Sequence, residues 1–302
     1  MDLGSSQVSA DVGPEAEEIA SAESDLTQFW RDHDRALELH KATGDVALSH
    51  DLYRGMPPWF NAYYAHFQRR ALVKLLCQCH LQGETRAVDL GCGTGRWVGL
   101  LLSSGTKCYG FDIGSHALQY AAQRWPAAHF ISCQLPRLAF ESDVFDLAIS
   151  VTVLQHVPYA QQLESIQGIS RVLRRGGHLI ACETTVPRDP SPHVFGNARD
   201  RWLQLFGQSG LELVGQASCE FLPHIRLFHW ARGLLAKARP GLASTDVSSV
   251  ALRLQTEQAL ALLVRSIITI SYPLEYMMSC LAPKSWARLT CFLLEKPPCE
   301  SV

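Results

Sequence analysis

The chain has 302 residues, with 27 basic against 29 acidic side chains and a formal net charge of −2 at pH 7. This length can bury one large α/β core that carries an insertion. The near balance of charge leaves no broad cationic field of the kind that nucleic acid or an anionic membrane would select, so we expect no polyanionic partner. Because no apolar stretch approaches the ~20 residues of a bilayer crossing, we also expect no membrane span.

Ten cysteines are scattered through the chain, and no C-x-x-C pair occurs among them. Cys133, Cys182 and Cys291 lie inside apolar runs. We therefore expect reduced, buried, structural thiols and no metal site. Reduced thiols are typical of the cytosol, so the predicted localisation is cytoplasmic.

The composition and the hydrophobic periodicity divide the chain into four regions. The predicted regions are a disordered, acidic tail over residues 1–25, an N-terminal helical segment over 26–82, an α/β domain over 83–221 and 286–302, and a helical insertion over 222–285 that caps the substrate site. Within the second region, the three-and-four spacing of apolar residues predicts an amphipathic helix over Phe60–Cys79.

Short apolar runs alternate with helical patterns through the α/β domain, which predicts βαβ units and a parallel sheet. The predicted strands are Arg86–Leu90, Lys107–Asp112, His129–Cys133, Phe145–Val151, His178–Thr184, Leu211–Cys219 and Leu289–Glu295. We expect the helix before the fifth strand to end at Gly176-Gly177, and a short helix to occupy Ala198–Gln208. In the insertion the pattern predicts separate helical runs over Ser244–Ile268 and Leu274–Leu281.

The first predicted strand runs into Asp89-Leu90-Gly91-Cys92-Gly93-Thr94-Gly95, in which three glycines alternate before a helix begins. Glycines at this spacing allow a tight turn and a close approach of the backbone to a ligand. The next strand ends at Asp112, where a carboxylate can meet a ribose diol. The third glycine comes one residue too early for a dinucleotide fingerprint, and no P-loop pattern is present. The spacing therefore argues against a pyrophosphate ligand.

The segment Asp89–Gly95 resembles the first motif of the class I S-adenosylmethionine-dependent methyltransferases. Further segments that resemble this family follow in the expected order: Leu138-Ala139-Phe140 with Phe145-Asp146-Leu147, Leu154-Gln155-His156-Val157, and Leu173-Arg174-Arg175-Gly176-Gly177. The resemblance covers about residues 85–185. It implies a Rossmann-like α/β fold, whose seven-stranded, mostly parallel sheet has a reversed last strand and helices on both faces, with the helical insertion before that last strand.

The resemblance also implies S-adenosyl-L-methionine as the cofactor and assigns residues to it. Asp89 is expected at the methionine end, Asp112 at both ribose hydroxyls, Ile113 beside adenine and Gln134 near the adenine amino group. Gln134 departs from the aspartate of many relatives, yet its amide carbonyl can still accept a hydrogen bond from that amine. The rest of the predicted cofactor set comprises Gly91, Cys92, Gly93, Gly95, Leu135 and Val151.

Two polar residues at predicted strand ends are the catalytic candidates, His156 after the fourth strand and Glu183 at the end of the fifth. Histidine can accept a proton near neutral pH, and a nearby carboxylate can orient it or bind a hydroxyl. This pair favours O-methylation of a metabolite hydroxyl, although a turn or packing role is open for both. The N-terminal aromatic residues Tyr53, Trp59, Tyr63 and Tyr64 are candidates to close over the cofactor, although their helical spacing favours core packing for Tyr63 and Tyr64. Tyr272–Met278 is a candidate to line an acceptor pocket, with the core of the helical cap as the favoured alternative.

Other functions stay open at this point. They include C- or N-methylation of a lipid-like or natural-product acceptor, and a S-adenosylmethionine-binding module without catalysis. An NAD-dependent oxidoreductase requires that the early third glycine be tolerated. Nucleic-acid methylation is disfavoured, because Val151–His156 replaces the N-P-P-[YF] motif and no basic cleft is indicated. The predicted partner is a small-molecule acceptor, and the sequence leaves its identity and the oligomeric state open.

Overall fold

A seven-stranded sheet forms the centre of the computed structural model, which describes residues 26–35, 52, 56–81, 84–186, 193–223 and 258–298. The strands are β1 (Arg86–Leu90), β2 (Lys107–Asp112), β3 (His129–Ser132), β4 (Phe145–Val151), β5 (Leu173–Thr184), β6 (Glu212–Cys219) and β7 (Leu289–Glu295). Their order is β3-β2-β1-β4-β5-β7-β6. Strand β7 is antiparallel to both β5 and β6, and the other pairs are parallel. The predicted Rossmann-like sheet with a reversed last strand is confirmed.

Helices cover both faces of this sheet. They are α1 (26–35), α2 (Pro58–Leu76), α3 (Val98–Ser103), α4 (Ser115–Arg124), α5 (Tyr159–Val172), α6 (Arg199–Gln208) and α7 (Gln258–Leu281), with 3-10 turns at Leu154–His156 and Lys284–Trp286. Buried residues of α2, α3 and α7 share one hydrophobic cluster, and those of α5 and α6 share the other. The central strands face both clusters, which explains why they are apolar almost throughout. None of the described helices has the length and hydropathy of a membrane span.

The junction between α5 and β5 differs from the prediction. The helix ends at Val172, and β5 begins at Leu173 rather than at His178. The additional strand residues find partners, since Leu173 pairs with Phe145 and Arg174 bonds to the Asp146 carboxylate at 2.8 Å. The helix was predicted to end at Gly176-Gly177, and this was wrong because Leu173 and the residues after it belong to β5.

Helix α7 is continuous through Pro273, so the predicted break between two helical runs was wrong within the described residues. Glu275 explains why this helix is held in place. Its buried carboxylate accepts the backbone amides of Phe221 (2.6 Å) and Leu222 (2.7 Å), which follow β6, and the Tyr63 hydroxyl of α2 (3.3 Å). Burial raises the pKa of Glu275. The predicted tail over residues 1–25 and the start of the Ser244–Ile268 run lie outside the described residues.

Cys182 and Cys291 form a disulfide between β5 and β7, whereas the sequence predicted reduced thiols. The two residues stand opposite each other in the antiparallel register, which brings their sulfur atoms together. Cys219 of β6 lies beside them, and the three sulfurs are within 4.8 Å of one another in the buried core. Cys133, the third cysteine of the apolar runs, is partly exposed and carries a free thiol.

Candidate active site

The glycine-rich loop after β1 makes three turns that only glycine adopts without strain. Gly91, Gly93 and Gly95 have φ values of 64°, 52° and 78°. A Cβ atom at Gly91 would come within 2.6 Å of the Val153 side chain, and one at Gly95 within 2.8 Å of Trp125. The backbone of this loop therefore packs directly against the turn that follows β4. The side chains of Val153 and Trp125 fill the space at Gly91 and Gly95, so packing as well as the left-handed turns requires glycine there, at the carboxyl end of β1 where open α/β sheets bind ligands.

Asp112 lies at the carboxyl end of β2, and backbone amides fix its orientation. Its two carboxylate oxygens accept hydrogen bonds from the amides of Gly93 and Gly114, each at 2.8 Å. The amide of Cys92 donates to the carbonyl of Phe111, which joins the loops after β1 and β2. A partly exposed carboxylate fixed beside a glycine loop has the chemistry to accept hydrogen bonds from a ribose diol. The residues present thus fit S-adenosylmethionine.

The other predicted cofactor residues lie around this loop with different exposures. Asp89 and Cys92 are buried next to it, whereas Ile113 is half-buried and Gln134 is exposed. Leu135 and Val151 are buried in the adjoining core. Nothing in the structure tests their contact with the cofactor, so these assignments stay predictions.

Helix α1 lies across the carboxyl ends of the strands, and Asp34 attaches it to α4. The N-cap of α4 is Gly114, which has no side chain for capping. Asp34 replaces that cap from 82 residues away, accepting the amides of His116 (3.1 Å) and Ala117 (2.9 Å) and pairing with the His116 ring (2.9 Å). Burial alone would raise the pKa of Asp34, but the hydrogen bonds to His116 and Ala117 outweigh it and lower the pKa.

The same helix covers the catalytic candidate His156 with aromatic rings. Trp30 meets the His156 ring edge-to-face at 4.9 Å, and Phe29 stacks on His193 at 3.8 Å. His156 and His193 are both partly buried. The turn after β4, the segment at His193 and helix α1 therefore enclose one site, of which the sequence predicted His156 alone.

Hydrogen bonds define the tautomer of His156. Its Nδ1 lies 2.7 Å from the carbonyl oxygen of His193, so Nδ1 carries the proton and donates it. Nε2 is then the basic nitrogen, with the Gln155 amide nitrogen 3.5 Å away. Gln155 is oriented in turn, because its side-chain carbonyl accepts the amide of Thr184 at 2.9 Å. A histidine held in this way can take a proton through Nε2.

Glu183 is fully buried, and its carboxylate points at the turn that carries His156. It accepts the backbone amides of Val153 (3.3 Å), Leu154 (3.1 Å) and Gln155 (3.0 Å) and the hydroxyl of Ser150 (2.9 Å). Burial raises the pKa of Glu183 to about 7, against the opposing effect of these hydrogen bonds. Its contacts are those of a group that positions the turn rather than one that reaches a substrate.

Two of the N-terminal aromatic residues have the core position that the sequence favoured for them. Tyr63 and Tyr64 are fully buried in the core, and Trp59 lies beside the start of α7. Tyr53 is outside the described residues. Phe29 and Trp30 of α1 instead pack against His193 and His156, and the sequence did not indicate them because the pattern around residues 26–35 is short. The sequence signal that could have indicated this helix is the acidic residue Asp34, four residues after Trp30.

The segment Tyr272–Met278, predicted to line the acceptor pocket or to form cap core, contributes to a shallow apolar cavity. This cavity has a volume of about 360 Å³ and lies between α2 and α7. His66 and Phe67 line its α2 side. His193 is part of the candidate site, although the sequence did not indicate it.

Comparison with known proteins agrees with this arrangement of loops and strands. Residues 88–181 match the family model described as a methyltransferase domain. The match supports the resemblance of residues 85–185 to the class I S-adenosylmethionine-dependent methyltransferases. The match spans β1 to β5 and includes both the glycine loop and the turn with His156. S-adenosyl-L-methionine is the cofactor of the family, which confirms the prediction made from the sequence.

Curated relatives resemble the same part of the chain. A demethylmenaquinone methyltransferase from Tropheryma whipplei (strain Twist) is 32% identical over 133 residues, which are 41% of this chain and 50% of the relative. A malonyl-[acyl-carrier protein] O-methyltransferase from Marinomonas sp. (strain MWYL1) is 28% identical over 122 residues, 39% and 44% of the two chains. The chain thus spans about half the length of the curated relatives that it matches.

Two solved structures have a similar fold. The [4+2]-cyclase SpnF aligns with a TM-score of 0.50 at 17% identity, covering 75% of this chain and 80% of its own. A proposed sarcosine dimethylglycine methyltransferase from Galdieria sulphuraria aligns with a TM-score of 0.51 at 14% identity, covering 78% and 86%. At these identities the likeness establishes the fold alone.

Proposed function

We propose that this protein transfers a methyl group from S-adenosylmethionine to a hydroxyl of a small-molecule acceptor, with His156 as the general base. The observation that carries the proposal is the fixed tautomer of His156. The bond from Nδ1 to the His193 carbonyl leaves Nε2 as the basic nitrogen at the carboxyl edge of the sheet. This is the edge at which open α/β sheets bind their ligands.

The cofactor would lie along the glycine loop and the carboxylate at the end of β2. Gly91, Gly93 and Gly95 allow the backbone to approach it, and Asp112 accepts hydrogen bonds from its ribose. When bound, the cofactor supplies an electrophilic methyl group on a sulfonium. The protein then has to align the acceptor with that methyl group and take up the hydroxyl proton.

Three groups position the base and limit water around it. Glu183 binds the amides of the turn that carries His156, and the His193 carbonyl fixes the ring. Trp30 packs its ring against the imidazole, so the acceptor would meet an apolar wall beside the base. Neighbouring Phe29 covers His193. An aromatic wall of this kind suits a planar or apolar acceptor.

A second candidate is methylation of carbon, and the names of the relatives favour it. One relative is a ubiquinone/menaquinone biosynthesis C-methyltransferase from Campylobacter jejuni, 26% identical over 166 residues that cover 52% of this chain and 68% of the relative. In that case His156 would remove the proton from a phenolic hydroxyl and so activate the neighbouring ring carbon.

The experiment is methyl transfer from methyl-labelled S-adenosylmethionine to a panel of phenolic, quinol and carboxylate acceptors. Nuclear magnetic resonance of the labelled product distinguishes an O-methyl from a C-methyl group. An O-methylated product whose rate depends on His156 supports the first candidate, and a C-methylated product supports the second. Binding of the cofactor without any transfer would favour the module that lacks catalysis.

The cytoplasmic localisation and the helical cap stay predictions.

A further inference from the structure

A buried side-chain amide, that of Gln162 in α5, lies against the turn that carries His156. Its nitrogen atom is 3.1 Å from the carbonyl oxygen of Val157 and 3.4 Å from that of Leu154. The same nitrogen is 2.8 Å from the carbonyl oxygen of Phe195. Because carbonyl oxygens surround this end of the amide, it is the NH₂ end, which donates. One side chain thus binds both the turn and the chain segment at Phe195.

The segment of residues 193–197 is the second element that this amide holds. Asn197, which is also buried, donates from its side-chain nitrogen to the side-chain oxygen of Gln162 at 2.7 Å, so both ends of the Gln162 amide are used. The backbone of Phe195 is bound on both sides, because its N–H donates to the carbonyl of Gln155 at 2.6 Å and its carbonyl accepts from Gln162. These bonds fix the distance between the segment and the turn.

Gly196 allows the segment to approach the sheet closely. A Cβ atom at Gly196 would come within 2.5 Å of the Thr184 side chain and within 2.8 Å of the carbonyl oxygen of Val186. The carbonyl of Gly196 accepts the hydroxyl of Tyr159, which belongs to α5, at 3.0 Å. The segment is therefore packed against the end of β5 and bonded to α5, and both contacts limit the position of His193 at its start.

Gln162 complements Glu183 at this turn. Glu183 accepts backbone N–H groups at the start of the turn, whereas Gln162 donates to carbonyl groups of the same turn. The segment that Gln162 also binds begins with His193, whose carbonyl oxygen accepts the Nδ1–H of the His156 ring at 2.7 Å. Glu183 therefore holds the turn, and Gln162 fixes the distance between the turn and the hydrogen-bond partner of its histidine.

We propose that Gln162 is a positioning residue for the general base, which sets the tautomer of His156 by holding the His193 carbonyl within reach of Nδ1. The proposal rests on the proposed function, since that function assigns the base to His156. The hydrogen bond at one ring nitrogen determines which nitrogen carries the proton. Without the Gln162 bonds the segment would shift, and Nε2 would carry the proton in part of the molecules. A ring in that form cannot take the proton of the acceptor through Nε2.

The test compares the variant Gln162→Met with the matched control Gln167→Met. Methionine is unbranched like glutamine but has neither the NH₂ group nor the carbonyl oxygen. Gln167 is an exposed glutamine of the same helix. Nuclear magnetic resonance of isotope-labelled histidine shows which ring nitrogen carries the proton, and His156→Ala identifies the signals of His156 by subtraction. We expect the Nδ1–H tautomer in the wild type and in Gln167→Met, and a mixture of tautomers in Gln162→Met.

The labelled-methyl assay supplies the second measurement. We expect the kcat of Gln162→Met to fall by about 10–10²-fold, as for a reacting group that is misplaced by about 1 Å. The Kd of S-adenosylmethionine should stay at the wild-type value, because the glycine loop is unchanged. If circular dichroism shows Gln162→Met to be unfolded, Tyr159→Phe decides in its place. It removes one hydrogen bond of the same segment from a half-exposed ring, and it should shift the His156 signals in the same direction by a smaller amount.

Unchanged His156 signals in the deciding variant overturn the proposal, whether or not kcat falls with them. Gln162 would then serve only the packing between α5 and the turn. Failure of the proposed function gives a different result, because His156→Ala then keeps its kcat. A shift of the His156 signals in Gln162→Met would still support the positioning role in that case, since the tautomer is measured without turnover.

Discussion

The two halves of the candidate site are built in different ways. On the cofactor side, Gly91, Gly93, Gly95 and Asp112 lie within 22 residues and are joined by backbone contacts such as that of Gly93 with Asp112. On the acceptor side, His156 depends on Glu183, His193 and Trp30, which come from distant parts of the chain. The cofactor side is therefore a local backbone structure, and the acceptor side is a tertiary assembly.

Buried carboxylates hold the acceptor side together. Glu183 binds three amides at the start of the 3-10 turn, and Asp34 binds two at the start of α4. Both replace caps that the local sequence does not supply, because Val153 and Gly114 have no capping side chain. Changes on this side should thus alter positioning and chemistry, whereas changes at the cofactor loop should alter binding.

The largest effect is expected for His156→Ala. Loss of the base should lower kcat by about 10²–10⁴-fold in the labelled-methyl assay, with little change in the Kd of S-adenosylmethionine. His129→Ala is the control. His129 is the first residue of β3, so it lies at the amino end of its strand, whereas the candidate site lies at the carboxyl ends. A variant that retains nearly full kcat would show that His156 serves the turn and not the chemistry.

Glu183→Gln sharpens the distinction between positioning and catalysis. The glutamine side chain would place its NH₂ group against backbone N–H groups that now donate to Glu183. We therefore expect a loss of about 1–3 kcal/mol in the free energy of unfolding. Ser165→Ala removes a buried hydroxyl from α5, away from this turn, and controls for general effects of buried substitutions. Urea denaturation monitored by fluorescence measures both.

The pKa of Glu183 also sets a pH dependence of stability. The raised value, about 7 in the folded protein against 4.5 for an ordinary glutamate, means that the folded state binds the proton more tightly. The contribution of this group to stability is complete below pH 4.5 and is lost as the pH rises through about 7. Glu183→Gln should remove this component from the pH profile of unfolding. An unchanged profile would contradict the assigned protonation.

The smallest effect is expected for Asp34→Asn, which weakens the attachment of α1 to α4. The cost should be about 0.5–2 kcal/mol, seen as faster hydrogen exchange in residues 26–35. Since the pKa of Asp34 is lowered, its stabilising effect is present above pH 3.8 and is lost as the pH falls through the folded value. Asp32→Asn, on the exposed side of the same helix, should leave the exchange unchanged.

The sequence predicted most of the fold, because strands with continuous apolar runs leave little ambiguity. Strands β1, β2, β4 and β7 begin and end where the pattern indicated. The errors arose where tertiary partners decided the outcome. Leu173 became strand because Phe145 lay opposite it, and α7 continues through Pro273 to Glu275, which attaches it to the chain after β6.

The candidate site divides in the same way. The glycine loop and Asp112 could be read from the sequence, because their spacing alone specifies a turn and a carboxylate at adjacent strand ends. Trp30 and His193 could not, since their proximity to His156 results from chain segments more than 30 residues away. Glu183 was found as a candidate, but its burial and hence its positioning role required the structure.

Calorimetric titration with S-adenosylmethionine tests the central claim most directly, with Asp112→Ala as the variant and NAD as the competing ligand. Removing two charge-assisted hydrogen bonds should weaken binding by about 10²-fold or more. Asp143→Ala, an exposed carboxylate paired with Lys296, should bind as the wild type does. We predict micromolar binding of S-adenosylmethionine that is lost in Asp112→Ala. Binding of NAD in its place, or equal affinity in the variant, would contradict the account.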